Sequence, residues 1–260
     1  MMPLGMVRTR PAVIAALLGA AGLAWWWTVR RMSGMDTGPG TSLGTVGWFT
    51  GSWALMMAAM MLPSFAPTLD AYVTLTRGRT PGRWVLFASG YLLAWAAGGL
   101  LAYGAYELGK ALLGTELAWQ RGGRWLSIGV LAGAAAYEVM PLKRACLARC
   151  RGQLGDPRGA LGQSWPSSLT MGVRSGGWCI ACSWALMAAL FALGVMSLTW
   201  MGVMAGLVAL EKVGPWPRRA RLATALVLAG LAVGVLVAPH EVPGLTVPGS
   251  GQMHAMKAMD

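Results

Sequence analysis

Seven long apolar runs follow one another along this chain, separated by short stretches that hold nearly all of its charge. This alternation constrains the fold more than any single motif does. The runs are Pro11–Val29, Val46–Ala66, Trp84–Tyr106, Trp125–Met140, Gly176–Leu193, Ser197–Leu210 and Leu222–Ala238. Each approaches the roughly 20 residues that a helix needs to cross a bilayer. Hydrophobic residues make up 56% of the 260 and charged residues only 12%, too little polar surface for a soluble globule of this size. The expected fold class is therefore all-α: a polytopic transmembrane helix bundle of about seven helices over residues 1–240, with a flexible Met- and His-bearing tail over 241–260.

The first run has the basic start of a signal peptide, but it ends in Trp25, Trp26 and Trp27 and then Arg30 and Arg31, with no small-residue cleavage site. It is expected to stay as a helix. Lys and Arg outnumber Asp and Glu by 21 to 9, giving a net charge of +12. That excess could suggest nucleic acid, yet the basic residues fall in short clusters between apolar runs and not along one face, so no nucleic-acid partner is expected. They read as topology signals. A cytoplasmic N-terminus places 15 of the 21 basic residues on the cytoplasmic side, among them Arg77, Arg79, Lys143, Arg151, Lys212 and Arg218. The positive-inside rule favours this orientation, and seven spans then put the C-terminus outside a bacterial inner membrane. Glycines four apart at Gly129/Gly133, Gly202/Gly206 and Gly230/Gly234 predict close packing of those three helices inside the bundle.

Sulfur is concentrated in a few places. Met56, Met57, Met60 and Met61 lie on the second run, where Met56 and Met60 share one helix face and Met57 and Met61 the adjacent one. Two thioethers on one face can grip Cu(I), whereas hard cations have no use for them; equally, methionine fills gaps between helices. Cys146 and Cys150 follow the fourth run, and Cys179 and Cys182 open the fifth. Either spacing lets two thiols meet one metal, and Arg144, Arg149 and Arg174 are the cations expected to favour thiolates there. If the pairs form one site, at least three Sγ atoms must be able to approach within about 4–5 Å of one another. Cys179 and Cys182, at a predicted helix start, are expected to bind more tightly than Cys146 and Cys150 in their basic segment. A Cys179/Cys182 pair also suits a membrane thiol oxidoreductase, and a small-solute transporter subunit could use all of this sulfur for packing.

Three blocks taken in order carry a resemblance: Trp53…Met56…Met60-Met61…Pro63; Tyr137…Pro141-Leu-Lys-Arg-Ala-Cys146…Cys150-Arg151; and Gly172…Gly176…Cys179…Cys182…Trp184…Met187…Trp200-Met201…Glu211-Lys212…Pro215. Over about Trp48 to Gly230 the chain resembles a bacterial family of predicted metal-binding integral membrane proteins whose members are often labelled copper chaperones. The resemblance implies a multi-helix membrane protein that binds copper, with Cys146, Cys150, Cys179 and Cys182 as ligands assisted by Met56, Met60 and Met187, and a copper donor or acceptor protein as partner. Ser183 departs from it, standing where a further cysteine commonly follows, and so does Glu138, where an amide is usual after the tyrosine.

Further soft donors stand at Met35, Met253, His254, Met256 and Met259, in segments expected outside the membrane, where thioether and imidazole remain usable ligands. Glu138 and Glu211 are expected to snorkel at helix ends beside Lys143 and Lys212, and His240 to be structural or solvated. The chain has no phosphate loop, zinc-protease motif or hydrolase elbow, and is expected not to be an enzyme.

Overall fold

Local chemistry marks several of the helix ends. Thr45 caps one start, its hydroxyl accepting from the Trp48 N–H at 3.4 Å, and Ser197 caps another in the same way. Pro141 and Pro217 each take a first helical position, where a missing N–H costs nothing. The computed structural model describes residues 4–32, 45–76, 82–113, 124–152, 165–193 and 197–237. Among these it contains eight helices and no strand: α1 (Leu4–Met32), α2 (Val46–Leu75), α3 (Arg83–Leu113), α4 (Arg124–Val139), α5 (Pro141–Gly152), α6 (Trp165–Leu193), α7 (Leu198–Val213) and α8 (Pro217–Val237). The all-α bundle expected from the sequence is the fold.

Five helices are long and apolar enough to cross a membrane: α1, α2, α3, α6 and α8. The α4–α5 pair, bent by 67° at Met140, brings the number to six if it counts as one broken span. At 16 residues α7 spans about 24 Å, short of a hydrocarbon core of about 30 Å. Outward-facing positions are apolar, as lipid contact requires, with Leu101 76% exposed. Met35, His240, Met253, His254, Met256, Met259 and the whole 241–260 tail lie outside the described residues.

The centre of the bundle is α6, which packs on α3, α4, α5 and α7, most extensively on α3. Two glycines make that seam possible. A Cβ at Gly172 would collide with the Phe87 carbonyl, and one at Gly90 with the Leu169 carbonyl, so only hydrogen fits where the two backbones touch. Gly176 stands one turn further along, against the Tyr91 carbonyl and the Ala94 methyl. The predicted glycine seams are elsewhere and do not form: positions Gly129, Gly133, Gly202, Gly206 and Gly230 have no atom within 4 Å of where a Cβ would stand. Helices α4 and α8 do pack together, but through Leu131, Ala134, Leu228 and Ala232. Arg124 adds to that contact by donating to the Val235 and Leu236 carbonyls at the end of α8, at 3.2 and 2.7 Å.

Candidate metal centre

The start of α6 corrects a prediction about the cysteines. Because the helix begins at Trp165 and not at Gly176, Cys179 and Cys182 sit in mid-helix, well away from its N-terminus. Their backbone groups are used by the helix, and the side chains turn back onto it: the Cys182 thiol and the Ser183 hydroxyl both donate to the Cys179 carbonyl, at 3.2 and 2.7 Å. Ser183 therefore occupies the space of a further thiol with an internal hydrogen bond.

The Cys179 sulfur has two polar neighbours from other helices. Tyr91 Oη of α3 lies 2.9 Å from it, and Lys212 Nζ of α7 donates to it at 2.6 Å. An ammonium at this distance is complementary to a thiolate, the form in which cysteine binds a metal. The arginines expected in this role are not there. Arg144, Arg149 and Arg174 are exposed, and the Arg149 guanidinium stacks 4.8 Å above Trp178.

Helix α5 brings the second pair. Cys146 and Cys150, four apart, face α6; Cys150 packs against the cluster of Cys146, Leu147 and Cys182 and shares a cavity wall with Cys179. Cys146 lies behind, packed with Leu147 against Cys182 and close to the Tyr137 ring. Three of the four thiols thus converge from two helices, and the fourth adjoins them. All four are free. Among the described residues no three His, Cys, Asp or Glu side chains are already set to hold a metal ion. The physical reason is visible in the hydrogen bonds above: these sulfurs are turned toward Lys212, Tyr91 and a helix carbonyl.

A cavity of about 330 Å³ reaches the group between α2, α5, α6 and α7. Cys150 and Cys179 line it with polar Tyr91, Ser64 and Ser175, apolar Phe65 and Val213, and two cations, Arg151 and Lys212, so its wall is mixed and its charge is basic. Met56, Met57, Met60, Met61 and Met187 are buried in the main apolar core, which Cys179 also joins, and do not line the cavity.

Near the thiols lies a second polar cluster that sequence reasoning placed at the surface. Lys143 Nζ bridges Glu138 Oε1 and Glu211 Oε2, both at 2.8 Å, and none of the three side chains is more than 3% exposed. The predicted Glu211–Lys212 pairing is replaced, because Lys212 turns to Cys179. Arg151 ties α5 to the end of α7, donating to the Glu211 carbonyl at 2.8 Å and the Gly214 carbonyl at 3.1 Å. The adjacency of Glu211 and Lys212 at the end of an apolar run was the one sequence signal for these residues; Tyr91 gave none.

A family model described as PpoB2, copper chaperone, matches residues 50–236, which covers every helix that builds this centre. The chain belongs to that family. No curated protein and no solved structure matches it.

Proposed function

We propose that this protein is a multi-pass copper chaperone of the bacterial inner membrane that takes Cu(I) onto Cys150, Cys179 and Cys182 and passes it to or from a partner protein. The observation that carries the reading is the gathering of free thiols from α5 and α6, Cys150 packed beside Cys182 and lining a cavity with Cys179, Arg151 and Lys212. Soft thiolates select Cu(I) over the hard cations that dominate a cell. As the ion arrives, the sulfurs exchange their hydrogen bonds to Lys212 and Tyr91 for metal bonds, and thiol protons leave through the cavity. Cu(I) then moves by swapping one sulfur for the next, which requires no full release and no catalysis. Cys146, next to Cys182, is the adjoining thiol for such a swap. Met56, Met60 and Met187 are the soft donors available deeper in the bundle.

The test is Cu(I) retention by the purified protein in competition with a chelator. Changing Cys150, Cys179 and Cys182 together to serine should abolish retention. Cys146→Ser, or leucine at Met56, Met60 and Met187, should leave copper bound and slow its transfer to an acceptor. Retention equal to the parent in a variant lacking all four cysteines and these three methionines would overturn the proposal.

With α4–α5 and the short α7 counted as crossings beside the five long helices, the proposed orientation has the N-terminus in the cytoplasm and the C-terminus outside, which puts 15 of 21 basic residues within. Reporter fusions at Gly78, Gly155 and Pro215 should report cytoplasm, and one at Gly251 the exterior. A cytoplasmic signal from Gly251 would reverse the parity of the spans.

A further inference from the structure

The Glu138, Lys143, Glu211 cluster beside the thiols is bonded within itself and takes no part in the copper proposal. Its hydrogen bonds do not close. Lys143 serves one oxygen of each carboxyl group, leaving Glu138 Oε2 and Glu211 Oε1 buried without a partner. Two guanidiniums are close enough to help, yet each is directed at a main-chain carbonyl: Arg221 at that of Glu138, at 3.1 Å, and Arg151 at that of Glu211, at 2.8 Å. The other charged groups on neighbouring helices point away. Arg174 of α6 and Arg218 and Arg219 of α8 are exposed, Asp70 of α2 lies against α1, and Lys212 faces Cys179. The Tyr137 ring is 6.0 Å from the Lys143 ammonium. Meanwhile the two carboxyl groups meet at one ammonium, which holds them side by side.

An ionised carboxylate only accepts hydrogen bonds, so two of them buried side by side repel and leave both orphan oxygens unsatisfied. One proton removes both difficulties. We infer that Glu138 and Glu211 bind a single proton between Glu138 Oε2 and Glu211 Oε1, making the cluster a buried protonation site of one ammonium, one carboxylate and one carboxylic acid. The site joins α4, α5 and α7 in one knot. Two of those helices carry parts of the thiol group, Cys146 and Cys150 on α5 and Lys212 on α7, so loss of the proton would loosen the frame that brings them together. The sign of the linkage is fixed. Unfolding releases the shared proton into neutral water, so this contribution to stability is present at lower pH and is lost as pH rises.

The experiment is infrared spectroscopy of the metal-free, full-length protein in a lipid bilayer at neutral pH. The wild type should show a carboxylic acid carbonyl band that shifts in D2O. Glu138→Gln and Glu211→Gln should each abolish it, because the remaining carboxyl then pairs with Lys143 alone and stays ionised. No such band in the wild type, or a band that survives either substitution, overturns the inference. Should a variant fail to fold, the wild type decides the matter alone: its unfolding temperature should fall as pH is raised above neutral, and a flat profile refutes the site. Because no copper is present, the outcome is independent of whether the thiols bind it.

Discussion

Helix α6 has two working faces, and they are built on opposite principles. Toward α3 it offers Gly172 and Gly176, and the fit is one of shape: backbone meets backbone with no room for a methyl group. Toward α5 and α7 it offers Cys179 and Cys182, and the fit is one of charge and hydrogen bonding, with Lys212 and Tyr91 on the sulfur and Lys143 between two carboxyl groups nearby. The faces meet at Tyr91, whose carbonyl lies against Gly176 and whose hydroxyl reaches Cys179. The tight seam therefore sets the position of a polar group in the site. In a bilayer this division has a reason: lipid gives no hydrophobic drive for two apolar helices to pair, so close packing or buried polar contacts must supply it.

The strongest challenge to this comparison lies on the polar side. Lys143→Met removes the ammonium that bridges Glu138 and Glu211 and leaves a buried carboxylate without that counter-ion. Breaking a buried ion pair in this way costs about 3–5 kcal/mol. Denaturant unfolding of the purified protein should register that loss, along with faster alkylation of Cys150 as α5 detaches. A loss under about 1 kcal/mol would mean that charge does not hold this face, since that is what an exposed pair is worth.

The two faces also differed in how far the sequence revealed them. Apolar runs gave the helices and the fold class, because length and hydropathy are sufficient to recognise a span. The thiol pairs were visible as residues, and the faces they share follow from helical spacing. The cation beside them was not: Arg144, Arg149 and Arg174 are close in sequence, but Lys212 arrives from another helix. The triad was misplaced for a related reason. A lysine near a helix end is expected to snorkel, and only the 67° bend after α4 turns Lys143 back toward Glu138. On the other face Gly172 and Gly176 have the same four-residue spacing, but Arg174 between them interrupts the apolar run, so hydropathy alone starts the helix at Gly176 and leaves Gly172 outside it. One exposed arginine on a long helix is no break, since its side chain can reach past the seam to water.

The shape-determined face gives the smaller effects and the sharper control. Gly172→Ala would set a methyl carbon against the Phe87 carbonyl, a backbone atom that cannot move unless α3 moves with it. Overpacking of this kind costs about 1–3 kcal/mol. The same substitution at Gly129, where no atom lies within 4 Å of the added carbon, meets no obstacle. There alanine gains its helix propensity over glycine, roughly 0.8–1.0 kcal/mol in water, so stability should hold or rise slightly. Parallel unfolding curves for the two variants check both claims. If Gly129→Ala proved as damaging as Gly172→Ala, the cost would belong to glycine in these helices generally, and the seam between α3 and α6 would lose its claim to be set by shape.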